Sequence, residues 1–178
     1  DCVICDMGGG SFELAVVVDK EAVSYVSIPY GAVSLAEKFN AHDKISAQDL
    51  FKFYRFVLYK FRQLPWLLQG TKLPLVLLGG ANRTVARKEL MRLGRKDLEN
   101  IHGVSMSAYS FIETYTEWLG MDCKERADIL GPEAERADII IAGLSPIMFL
   151  IEYLQTPEII FSESGVREGV LYSMLKRK

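Results

Sequence analysis

Cysteine and histidine are scarce. The 178 residues include three cysteines and two histidines. Cys2 and Cys5 have the Cys-x-x-Cys spacing, but on a strand positions three apart point to opposite faces, so they cannot grip one metal together. No second pair follows and Cys123 stands alone, so all three read as reduced thiols of a cytoplasmic protein. His42 and His102 lie far apart in polar surroundings and read as surface positions, with no zinc site between them. Basic charge is lacking too. The net charge of −2 leaves no footprint for nucleic acid, so any polyanion must be met by local basic residues. No apolar run reaches the roughly 20 residues that cross a bilayer. The longest uncharged one, residues 139–151, reads as a core helix. No targeting segment, internal repeat or low-complexity stretch is visible. The chain opens on Asp1 and enters a strand at once, which reads as a fragment taken from a longer protein at a lobe boundary. Its length and 49% hydrophobic content suffice for one well-filled core, or one lobe of a larger protein.

Glycine, by contrast, is concentrated where two apolar runs meet near the start. Residues 2–5 read as a buried strand, and residues 12–18, rich in aromatic and β-branched side chains, as its antiparallel partner. Between them stand Gly8, Gly9 and Gly10. With no Cβ in the way, their backbone N–H groups can converge on one point and form an anion-binding concavity. Ser11 adds a hydroxyl donor. Asp6, just before this nest, would repel a phosphate unless a cation lay between them, which implies Mg²⁺ or a similar hard cation. Glu13 shares a strand face with Ser11, at the lip of the same cleft, where it can hold a metal-bound or attacking water. A plain hairpin turn is the simpler reading, but it needs only two residues.

Downstream, residues 22–28 read as a third strand and residues 31–39 as a short helix. Ser46 should cap a helix running to Gln69, with Leu50, Phe53, Val57, Phe61 and Leu64 on its buried stripe and Pro65 kinking or ending it. Residues 73–78 read as a strand ending at Gly79-Gly80, followed by a helix with Asn82 as a candidate cap. A strand, a glycine pair and a helix N-terminus make a second place for an anion. There Gly79 and Gly80 are candidate phosphate ligands, and Arg83 either joins them or points into solvent. Residues 101–107 read as a turn, 108–119 and 121–130 as helices, and 133–154 as one helix with a kink at Pro146. Arg136 and Asp138 read as a charge arrangement at its start, and Ala142-Gly143 as a place for close backbone approach. Residues 158–162 read as a last strand and residues 164–171 as the opening of a final helix, where Arg167 and Glu168 could lock it in place.

Residues 6–13 resemble the second phosphate-binding loop of the actin, Hsp70 and sugar-kinase superfold. Hsp70-type ATPases have a Gly-Gly-Gly-Thr-Phe-Asp version of it. The exopolyphosphatase / guanosine-pentaphosphate phosphatase (Ppx/GppA) family has Asp-Ile-Gly-Gly-Gly-Ser-x-Glu, which this chain matches except at Met7. Residues 27–35, 79–86, 136–143 and 164–171 also resemble that family in order, although Ala81 stands where the family has a threonine. The resemblance implies an α/β fold: a ribonuclease-H-like lobe with a mixed sheet, three antiparallel strands leading into βαβα and further helices. It implies hydrolysis of a terminal phosphoanhydride, in inorganic polyphosphate or in pppGpp (guanosine pentaphosphate). Glu13 would be catalytic, Gly8, Gly9, Gly10, Ser11, Gly79, Gly80 and Arg83 would bind phosphate, and Asp6 and Glu13 would hold Mg²⁺. It further implies an upstream lobe carrying a first phosphate loop and a catalytic glutamate, so that residues 1–178 alone have little turnover. A homodimer through the late apolar helices is a further expectation. The competing readings are an Hsp70-like or kinase-like ATP-binding module, and a non-catalytic sensor of polyphosphate or alarmone.

Overall fold

The computed structural model describes residues 1–175. The chain opens with β1 (Cys2–Met7), β2 (Phe12–Val18) and β3 (Glu21–Ile28), an antiparallel meander. Val3, Cys5 and Met7 alternate inward on β1, as do Phe12, Leu14 and Val16 on β2. After α1 (Ala32–Lys38) and α2 (Ala47–Arg62) come β4 (Leu75–Leu78) and α3 (Gly80–Arg92). Next are β5 (Ser105–Ser107), α4 (Ala108–Leu119), α5 (Cys123–Leu130) and α6 (Ile140–Leu154). β6 (Glu158–Phe161) and α7 (Val166–Leu175) end the described chain. The six strands form one mixed sheet in the order β3-β2-β1-β4-β6-β5, with β4 parallel to both β1 and β6. This is the implied arrangement, antiparallel strands leading into parallel crossovers.

Three local expectations change. The helix from Ser46 ends at Arg62, and Pro65–Gly70 is a separate 3₁₀ turn, because Pro65 lacks the N–H that a continuing helix would use. The stretch read as one helix from 133 is a 3₁₀ segment, Gly131–Arg136, followed by α6. The α5–3₁₀ unit and α6 lie at 94° to each other. α6 runs through Pro146 as one helix, and every residue from Ile140 to Ile147 is buried. Inside the turn read at 101–107 lies β5, three residues pairing with β6 at the sheet edge. The side chain of Arg167 lies outside the described residues. Glu168 caps its own helix, its Oε2 accepting from the Gly165 N–H at 2.7 Å.

α6 is the central helix and touches α1, α2, α3 and α4. Its large aliphatic side chains (Ile140, Leu144, Ile147, Leu150 and Leu154 among them) are fully buried, each worth about 1.5–3 kcal/mol. Gly143 permits its closest approach: a Cβ there would lie 3.2 Å from Ala81 Cβ on α3 and 3.3 Å from Ala32 Cβ on α1. Gly143→Val should therefore push α1 and α3 off α6. Chemical denaturation should show a loss of about 1–3 kcal/mol, the usual range for overpacking.

Candidate phosphate site

The turn between β1 and β2 is held open by backbone bonds to α1. The Ala32 N–H donates to Gly8 O at 2.9 Å, and the Val33 N–H to Gly9 O at 3.0 Å. The Gly8 N–H is engaged inside the turn, donating to Ser11 O at 2.9 Å. The N–H groups of Gly9 and Gly10 meet no acceptor among the described residues. Gly31 makes this docking possible, because a Cβ on it would fall 2.3 Å from the Gly9 carbonyl carbon. From sequence, Gly31 reads only as a strand break and the start of the short helix, with no role at the site. Its only signal was a glycine at a strand-to-helix junction.

Asp6 and Glu13 are direct partners across β1 and β2, so their carboxylates stand side by side on one face. Ser11 Oγ donates to Glu13 Oε1 at 2.7 Å and Ser27 Oγ donates to the same oxygen at 2.6 Å. These two bonds orient the carboxylate, and Oε2 has no donor among the described residues. Burial, with the Glu13 charge second, holds the Asp6 carboxyl above the usual carboxylate range, while Arg83 pulls it back. Burial and the same two acids push the Cys5 thiol up, which keeps it protonated and inert. A half-buried pair of like charges fits a hard cation that keeps several waters and uses one or two carboxylates. Among the described residues no cluster of three or more His, Cys, Asp or Glu side chains forms a fuller cage.

The second glycine pair faces the first. Gly79 has φ +104° and a Cβ on it would lie 2.2 Å from Met7 O, so the residue is excluded from change by conformation and by space. It, rather than Asn82, is the residue at the N-cap of α3. Asn82 is buried in the helix, its Nδ2 donating back to Leu78 O. A cavity of about 220 Å³ lies between the two glycine turns. Six predicted residues line it: Asp6, Gly8, Gly9, Gly79, Gly80 and Arg83. Gly10, Ser11 and Glu13 are not on its wall; Ser11 and Glu13 are tied to one another beside it.

Arg136 joins them and was not anticipated. Its guanidinium lies against Gly80, where a Cβ would be 2.3 Å from Nη1, and it lines the same cavity as Asp6. The position depends on Arg126, which is 1% exposed. Arg126 Nε donates to Ala137 O at 2.8 Å, Nη1 to Met121 O at 2.7 Å and Nη2 to His42 O at 3.1 Å. Together the cavity offers free backbone donors, two arginines and an acidic edge, which suits a phosphoryl group with a cation.

The electrostatics give a direct test on the ligand-free protein. Because the folded-state pKa of Asp6 is raised, its ionised form opposes folding. Asp6→Asn should raise the melting temperature at neutral pH. The advantage should shrink as pH falls through the folded pKa and vanish below the ordinary carboxylate value of about 4. A variant no more stable than the parent at pH 7 would contradict this.

Comparison with known proteins matches the geometry. The profile of the Ppx/GppA phosphatase family matches residues 1–178. A guanosine-5'-triphosphate,3'-diphosphate pyrophosphatase of Vibrio campbellii is 27% identical over 174 residues, covering 97% of this chain and 33% of that protein. The crystal structure of the Aquifex aeolicus Ppx/GppA family member superposes with a TM-score of 0.83 at 26% identity, over 99% of this chain and 56% of the other. An exopolyphosphatase from Cytophaga hutchinsonii shares the fold, with a TM-score of 0.88 at 24% identity over 98% of this chain and 57% of its own. The chain thus spans about a third of the curated relative and a little over half of the solved ones. The sheet and its helices have the ribonuclease-H-like, actin/Hsp70-type fold of these structures. With the family profile matching along its whole length, the chain belongs to the Ppx/GppA phosphatase family.

Proposed function

We propose that this chain is the phosphate-binding half of a hydrolase that removes the terminal phosphate from a phosphoanhydride, inorganic polyphosphate or pppGpp. The observation that carries the reading is the facing pair of glycine turns, with Asp6, Arg83 and Arg136 around the cavity between them. Free N–H groups at Gly9 and Gly10 and the N-terminal turn of α3 would hold phosphoryl oxygens, with Arg83 and Arg136 adding charge. Glu13, oriented by Ser11 and Ser27, would use its free Oε2 to align the attacking water. Asp6 and Glu13 would hold Mg²⁺, which when bound supplies neutralising charge at the phosphoryl oxygens. Ala81 offers no hydroxyl at the second turn, so backbone donors and Arg83 carry the contact there. In this reading an upstream lobe of the same chain supplies the first phosphate loop and a further catalytic carboxylate, and residues 1–178 alone turn over little or nothing.

The test uses the full-length protein with Mg²⁺, measuring phosphate release from long-chain polyphosphate and from pppGpp beside Glu13→Gln. The parent should release phosphate, and the variant should be slower by about 10²-fold or more, the scale for losing a positioned acid or base. Binding of either substrate without release would mean a sensor. Robust release by residues 1–178 alone would refute the requirement for a second half.

A further inference from the structure

Charge is unevenly spread along the chain. Asp and Glu outnumber Lys and Arg, 23 to 21, yet no Asp or Glu occurs from Leu50 to Lys88. The first part of that stretch is α2 and the segment after it, with Lys52, Arg55, Lys60, Arg62 and Lys72. Lys52 is paired with Asp49 at 3.1 Å. The other four form no ion pair among the described residues. Lys60 Nζ lies 5.4 Å from the Tyr30 ring centroid and 5.5 Å from that of Phe56.

α2 buries Phe53, Val57 and Phe61. At about 100° per residue, Phe51, Arg55, Tyr59 and Arg62 fall within about 80° of arc on the opposite side, along about 16 Å of axis. Phe51 and Tyr59 are each 60% exposed, and Leu68 on the adjoining 3₁₀ turn is 52% exposed. Aromatic and arginine side chains therefore alternate along one outward ridge, with no carboxylate among them. Exposed rings beside unpaired arginines are the composition of an interface rather than of a solvated face. None of these side chains lines the cavity between the glycine turns.

The chemistry of the ridge restricts what covers it. A second copy placed by a two-fold axis would set Arg55 and Arg62 against themselves. Single-stranded nucleic acid is held by stacking rings within a groove that tracks its backbone, whereas this face is the convex side of a helix. The broad surface of a bilayer accepts a ridge. Phe51, Tyr59 and Leu68 can enter the headgroup region while the arginine and lysine heads stay at the level of anionic lipid phosphates.

We infer that the outward face of α2 is a peripheral docking surface for an anionic lipid bilayer. The inference is independent of the phosphate-site reading, because the two share no residue.

The experiment is co-sedimentation of the full-length protein with vesicles, either of phosphatidylcholine alone or of equal parts phosphatidylcholine and phosphatidylglycerol. The parent should pellet with the anionic vesicles, less so at high salt, and stay in solution with the neutral ones. Arg55→Gln with Arg62→Gln should weaken binding about 25-fold, about fivefold for each cation at an anionic surface. Phe51→Ser with Tyr59→Ser should weaken it about tenfold, the scale of partly burying a ring. All four positions are exposed, so both variants should melt with the parent. Failure of the parent to bind anionic vesicles overturns the inference. Undiminished binding by the aromatic variant also overturns it, since only diffuse attraction between charges would remain. Binding of a single-stranded oligonucleotide in place of vesicles, or self-association in their place that the same substitutions abolish, gives the face another occupant and overturns it too.

Discussion

Everything at the site depends on backbones that come closer than side chains allow. At the end of β1, the turn at Gly9 meets the start of α1 at Gly31, and Met7 O meets Gly79. Just behind them, α6 passes Ala81 and Ala32 at Gly143. Each contact fails if a Cβ is added or enlarged, and the first two would fall at 2.3 and 2.2 Å. The consequence is chemical as well as steric. Docking α1 engages the Gly8 and Gly9 carbonyls, while the Gly9 and Gly10 amides have no acceptor among the described residues. Close packing, rather than any one side chain, makes this part of the protein a donor surface.

The acidic edge opposes that arrangement in the absence of ligand. Asp6 and Glu13 face each other across adjacent strands, and the sheet keeps them there although their charges repel. A core packed around α6 can bear this local cost. In the reading proposed above, a bound cation would relieve the same repulsion, and the interaction that weakens the ligand-free protein would strengthen the occupied one. Ser11 and Ser27 keep Glu13 from relaxing away, because both donate to one of its oxygens.

The sequence made local features legible and hid the features that depend on distant segments. Phe12–Val18 and Ala108–Leu119 have the limits their periodicity suggests, since alternation and helical spacing are written within each segment. The first glycine turn was legible because strand, nest and acids are contiguous. β5 was not, because Ser-Met-Ser has no pattern to read and is a strand only through its pairing with β6. Arg83 was left between cavity and solvent, and the fold brings it to the cavity wall. In sequence, Arg136 reads as a helix-start charge because residues 133–154 look like one helix, polar at its start and apolar beyond. A 3₁₀ segment and a 94° turn carry it to Gly80 instead, and neither is encoded within a helical window. Gly31 was overlooked for the same reason: its need for a missing Cβ comes from residues more than 20 positions away.

What fixes that turn is a buried cation held by backbone carbonyls. Arg126 is inaccessible, and its recorded partners are backbone carbonyls from three separate stretches: His42 and Asp43, Met121, and Ala137. Guanidinium suits this role, being more weakly hydrated than ammonium and carrying several donors in a fixed plane. A lysine could not span the same three directions from one point. Ala137 is the residue after Arg136, so the bond from Arg126 Nε sets the backbone from which Arg136 reaches the cavity. Arg136 in turn lies 3.9 Å from Glu133 and 4.0 Å from Glu135, with its guanidinium against Gly80 at the cavity. This wall of the cavity is therefore held by one buried arginine. A change that loosened Arg126 would therefore disturb the cavity wall from a distance, through the backbone at Ala137.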